Sequence, residues 1–168
     1  PGNNMKFWRS FGGKWRFIFF DLDYGLYDPF KNMFSHCTTN DETIDWPNPP
    51  ASTYLFRELV KNRLFVNEFL NRAQQLLNEY FVVDKMKEKT INIKETLIPS
   101  INKQINRWGM PHSYEQWEED INKIINFLEL RPCQFAYNLV DFFDSNNLSY
   151  DWAHTFCSDD SESQDDII

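Results

Sequence analysis

The chain opens with two apolar, β-rich runs, Met5 to Ser10 and Lys14 to Phe20, on either side of Phe11-Gly12-Gly13. Adjacent glycines between aromatic runs predict a β-hairpin, because tight hairpin turns need residues with positive φ. Alternation along the second run puts Phe17, Phe19, Asp21 and Asp23 on one face while the strand stays extended. Both carboxylates then point the same way, and the run stops at Gly25.

Residues 25–52 lose this alternation. They carry Pro29, Pro47, Pro49 and Pro50 among Asn, Asp and Thr, which predicts a long irregular segment with at most one helical turn. Segments of this length inside a domain are usually functional or mobile.

Helical periodicity follows. Leu55, Phe56 and Leu59 mark a first helix near 53–62. Phe69, Leu70, Ala73, Leu76, Leu77 and Tyr80 mark a second near 66–81, after a break at Asn62-Arg63-Leu64. A weaker pattern gives a third near 83–97, and Pro99 suits the first turn of a fourth that ends at Trp108, before Gly109 and Pro111. Ser113 and Gln116 have capping-box spacing for a fifth, 114–130, whose stripe is Trp117, Ile121, Ile124, Ile125 and Leu128. Pro132 separates a sixth, 132–144, with Phe135, Leu139, Phe142 and Phe143. The predicted class is α+β, mainly α, with an N-terminal β-hairpin followed by a bundle of about six helices.

Composition supports a folded chain. Its 168 residues suit one domain, and 17% aromatics, including 16 Phe and 6 Trp, can fill a dense interior. The formal charge is -8, but five of the acids fall in the last eleven residues, SDDSESQDDII, leaving about -3 for the body. The chain therefore divides into a folded unit, 1–157, and an acidic, compositionally disordered tail, 158–168. No basic face stands out in the sequence, which argues against nucleic acid as a partner. No run approaches the roughly 20 apolar residues of a membrane span, and no signal peptide is visible. Cys37, Cys133 and Cys157 are odd in number and widely spaced, against both a zinc site and a disulfide framework. The chain begins at Pro1 without an initiator methionine and reads as a processed or truncated piece.

The candidate chemistry gathers at the hairpin. Asp21 and Asp23 offer the carboxylate oxygens that hard cations such as Mg²⁺ take, often shared with substrate phosphates. On spacing alone a turn-and-cap role stays ahead of that reading. Asp23-Tyr24-Gly25 resembles the DFG metal motif of kinases. Asn3 and Asn4 are amide ligands or turn formers near the same place. His36 and Cys37 suggest a base and nucleophile, but neighbours in sequence usually point apart. His112 reads as a loop residue, and Arg107 and Arg131 as helix-end arginines that satisfy terminal carbonyls.

Taken in order, PGNNMKFWR, KWRFIFFDLDYG, YLFRELVKNRLFVNEFLNRAQQLLNEYF, INRW and YEQWEEDINKIINFLELRP resemble the CotH family, kinase-like proteins named for a spore coat protein. The resemblance runs from Pro1 to about Ser145. It implies the C-terminal lobe of an atypical protein kinase. Kinases place a catalytic Asp five residues before a metal-binding Asn, and a second Asp holds metal against the phosphates. Family members commonly read DWPGNN before the hairpin, so the implied base precedes Pro1, and Asn4 is the surviving candidate metal ligand. Asp21 and Asp23 match the family's D-x-D, one or both implied to bind Mg²⁺. Tyr24, Gly25 and Leu26 stand where the family continues with Phe and Gly, a departure that affects packing more than metal binding.

The implied cofactors are Mg²⁺ and ATP. The implied partner is a protein substrate, and the implied location is secreted or cell-surface. No Gly-rich loop or strand lysine for nucleotide phosphates is found, so this stretch alone is expected not to transfer phosphate. Two functions follow: part of a Mg²⁺-dependent kinase acting on protein Ser or Thr, or a non-catalytic spore-coat or cell-surface interaction module.

Overall fold

Two short strands, β1 (Lys6–Trp8) and β2 (Arg16–Ile18), pair antiparallel in the computed structural model, which describes residues 6–18, 20, 25–43 and 49–146. The register sets Lys6 opposite Ile18, Phe7 opposite Phe17 and Trp8 opposite Arg16. The turn closes where the Gly13 amide donates to the Ser10 carbonyl at 2.9 Å, with Gly12 at φ 71°. A side chain there would be strained, which is why the glycine signal was legible. Phe7 meets Trp15 edge to face at 5.1 Å and Phe17 at 6.0 Å. These cross-strand rings hold the ribbon together, but both faces of the hairpin stay exposed.

Five α-helices follow among the described residues: α1 (Met33–Thr38), α2 (Pro50–Leu59), α3 (Arg63–Gln75), α4 (Val83–Trp108) and α5 (Tyr114–Ser145). The mainly helical class with an N-terminal hairpin is as the sequence predicts. The segment predicted to be irregular instead contains α1, which starts where the Asn32 side chain accepts from the Phe34 and Ser35 amides. Helix α2 begins at Pro50, earlier than the periodicity suggested, because proline in a first turn gives up an amide with no helical partner. Asn62 caps α3 at the expected break, accepting from Leu64 at 2.9 Å and Phe65 at 3.4 Å. Helix α3 then widens into a π-helical turn, Leu76–Tyr80, closed by the Phe81 amide on the Leu76 carbonyl at 2.8 Å.

The predicted breaks at Pro99 and Pro132 are absent, and each pair of predicted helices is one. An interior proline removes one helical hydrogen bond and costs about 3 kcal/mol. At Pro99 the site is exposed, so water can serve the stranded Glu95 carbonyl. Around Pro132, Phe127 and Leu128 are buried before it and Ala136 and Leu139 after it. Burying each large apolar side chain is worth about 1.5–3 kcal/mol, enough to carry the helix through. Gly109, at φ 67°, ends α4 as expected.

Helix α5 serves two neighbours. Its first half lies antiparallel to α4, with Lys94 on Glu118 at 2.7 Å and a close Lys87–Glu129 pair. Its second half closes the main core, where Leu139 and Phe143 meet Phe34 of α1, Leu70 of α3 and Leu77 of the π-helical turn. Among the described residues no helix is long and apolar enough to cross a membrane.

Candidate functional site

The predicted metal ligands Asn4, Asp21 and Asp23 lie outside the described residues, as do Asn3, Tyr24, Cys157 and the acidic tail. Among the described residues no group of three or more His, Cys, Asp or Glu side chains could hold a metal ion. The structure therefore supplies the surroundings of the D-x-D motif: the hairpin that enters it and the segment that leaves it.

The hairpin is cationic. Lys6, Arg9, Lys14 and Arg16 fall within residues 6–18 with no acid between them. Arg9 stacks over Trp15 at 4.8 Å, Arg16 over Trp8 at 6.0 Å, and Lys6 lies over Phe20 at 4.9 Å. Rings in these positions favour a cation without neutralising it. The cations are divided between the two sides of the ribbon: the register puts Lys6 and Arg16 on one, and Arg9 lies over Trp15 on the side of Phe7. Cations gathered on so small a ribbon attract anionic ligands.

The segment leaving the motif, from Gly25 to Asn32, crosses to α5. Asp28 accepts from the Phe30 amide at 2.9 Å, a turn closed by its own side chain. Arg131 of α5 reaches it from 100 residues away in sequence, its Nη1 donating to the carbonyls of Pro29 and Lys31 at 2.8 Å each. Asn138 adds a longer bond to the Lys31 carbonyl at 3.4 Å, and Gln134 donates to the Asn138 side chain at 2.9 Å. Burial pushes the Arg131 guanidinium below its ordinary range, and the Asp28 carboxylate pulls it back up. Arg131 does satisfy carbonyls, but it sits inside α5, and the carbonyls belong to a distant segment. The sequence marked it as a helix end because of Pro132.

Two cavities adjoin this segment. One, about 360 Å³, is apolar and lies among Gly25, Leu26, Leu76, Phe81, Phe127 and Arg131. Its wall includes the π-helical turn, a distortion often found at functional sites. The other, about 650 Å³, is more open, with Tyr27 and Pro29 facing Asp120, Lys123 and Asn126.

The remaining candidates are dispersed. His36 and Cys37 are consecutive on α1; burial, then Lys31, lowers the His36 pKa, while burial raises that of Cys37. A thiol shifted upward stays protonated at neutral pH and is a poor nucleophile. His112 contacts the Gly109 carbonyl through Nδ1 at 2.8 Å and serves the α4–α5 loop. Arg107 lies in the last turn of α4, over the Trp108 ring at 4.9 Å. Cys37 is a free thiol and Cys133 is disulfide-bonded, which corrects the expectation against disulfides drawn from an odd, scattered count.

A family model described as CotH kinase protein matches residues 1–134 of the chain. No curated protein and no solved structure matches it.

Proposed function

The chain belongs to the CotH kinase family, and on that premise we propose that it is the C-terminal-lobe part of an atypical protein kinase that moves a phosphoryl group from ATP to protein Ser or Thr. The observation that carries this reading is the family match, spanning the hairpin, the D-x-D motif and the helices that follow. Asn4, Asp21 and Asp23 are its metal-ligand candidates. Two carboxylates and an amide oxygen are hard donors whose chemistry fits Mg²⁺. When bound, Mg²⁺ supplies charge neutralisation across the transferring phosphates.

The cations of the hairpin, Lys6, Arg9, Lys14 and Arg16, favour an anionic ligand.

Disulfide bonding of Cys133 supports a secreted or cell-surface location, since disulfides persist in oxidising compartments. A second reading, a non-catalytic coat or surface module, is favoured by one observation: the exposed aromatic side chains Phe7, Trp8, Trp15 and Phe17 on the hairpin. Large exposed apolar groups that cluster mark interaction surfaces. Radiolabelled ATP separates the two. The intact protein is expected to label itself in Mg²⁺, and Asp21→Ala or Asp23→Ala to abolish the label. An intact, folded protein that stays unlabelled in both Mg²⁺ and Mn²⁺ is instead the interaction module.

A further inference from the structure

We propose that the apolar cavity bounded by Gly25, Leu26 and the π-helical turn binds a small single-chain carboxylate, its chain inside and its head on the Arg131 guanidinium. The site is built from described residues, and its occupancy does not depend on the metal reading.

The cavity encloses about 360 Å³, at the small end of the range for small-molecule sites. At the roughly 30 Å³ that a water-sized group takes in a liquid, it has room for about a dozen non-hydrogen atoms. Its floor is closed and apolar, since Ala73, Leu77, Phe127 and Leu128 are all buried. Leu26 and Phe81, each 47% exposed, line it toward solvent. A hydrocarbon chain drawn from water onto such a lining gains the hydrophobic term and restores dispersion contacts that an unfilled volume forfeits. Water gains neither, because it needs several polar partners that an apolar lining does not supply.

Arg131 is the one charged side chain in the lining. Its Nη1 serves the carbonyls of Pro29 and Lys31 at 2.8 Å each, while Nε and Nη2 make no hydrogen bond among the described residues. Those unused donors lie side by side, the fork that grips a carboxylate through both oxygens. Asp28 acts on the charge of Arg131, but no carboxylate among the described residues forms an ion pair with it. The two carbonyls hold the guanidinium in place, so a ligand meets a cation already ordered. Partial burial has also stripped some of its hydration, which an anionic head restores.

Calorimetric titration of the full chain with octanoate, kept below the concentration at which it forms micelles, tests the site. One equivalent is expected to bind, and acetate, which lacks the chain, is expected not to. Arg131→Gln is expected to weaken octanoate at least about tenfold and to leave octanol, which has the chain without the charge, bound as in wild type. Arg131→Lys keeps the charge without the fork, is the milder variant should Arg131→Gln fold poorly, and is expected to weaken octanoate less. Leu76→Trp fills the cavity and is expected to abolish binding of both ligands, with Met86→Trp as the alternative filling should Leu76→Trp not fold. Circular dichroism checks the fold of each variant. The proposal is overturned by a wild type with no saturable octanoate binding, by wild-type octanoate affinity in the folded Arg131 variants, by equal loss of octanoate and octanol in Arg131→Gln, or by unchanged binding in the folded filled variants.

Discussion

Phe34 stacks on Phe142 with ring centroids 5.5 Å apart and planes 22° from parallel. This contact ties α1, a short helix inside a segment rich in turn residues, to the last turns of α5. Phe34 also meets Phe135 at 5.5 Å and Phe69 at 6.3 Å. Phe34→Ala should therefore act as a core truncation, costing about 3–5 kcal/mol in urea unfolding, where loop residues cost little. A loss under about 1 kcal/mol would show that α1 is not part of the cooperative core.

Pro99 lies in the exposed interior of α4. Pro99→Ala restores an amide donor to the Glu95 carbonyl and is expected to stabilise the protein by about 1–3 kcal/mol, with helical circular dichroism unchanged or stronger. A lower thermal midpoint would mean that the proline sets a bend on which the pairing with α5 depends.

The lowered pKa of His36 has a defined sign. Burial, and secondarily Lys31, favours the neutral ring in the folded state, whereas the unfolded ring titrates near 6.5. The contribution to stability is fully present above that value and is lost as pH falls through the folded pKa. Thermal midpoints should decline on acidification below about pH 6.5, and His36→Asn should reduce the decline. Identical pH profiles for the two proteins would remove His36 from the linkage.

Thiol chemistry tests the compartment. In unreduced protein, iodoacetamide is expected to modify Cys37 slowly at neutral pH and faster in alkali, because burial holds its thiol above the usual range. Cys133 should be modified only after reduction. Peptide mass spectrometry reads both, and ready alkylation of Cys133 without reductant would remove the support for an oxidising compartment.

Much of the fold was legible because it rests on local rules. The Gly12-Gly13 turn, the Asn62 and Ser113 caps and the Gly109 stop each follow from backbone geometry within a few residues. Even so, the capping box is shifted: Ser113 accepts from the Gln116 amide at 3.1 Å, but Gln116 reaches back to the His112 amide at 2.8 Å instead of that of Ser113. Pro99 and Pro132 misled because a local penalty was weighed without the burial or hydration that offsets it.

The sequence by itself determined the hairpin, the helical body and the family, since each is written in short-range pattern or in motif order. Tertiary structure alone decided that Phe34 is core, that the scattered cations of residues 6–18 share one ribbon, and that Arg131 holds the backbone at Pro29 and Lys31. The reason is physical. A hydrogen bond across 100 residues leaves no periodicity behind, because only the folded chain brings its donor and acceptors to 2.8 Å.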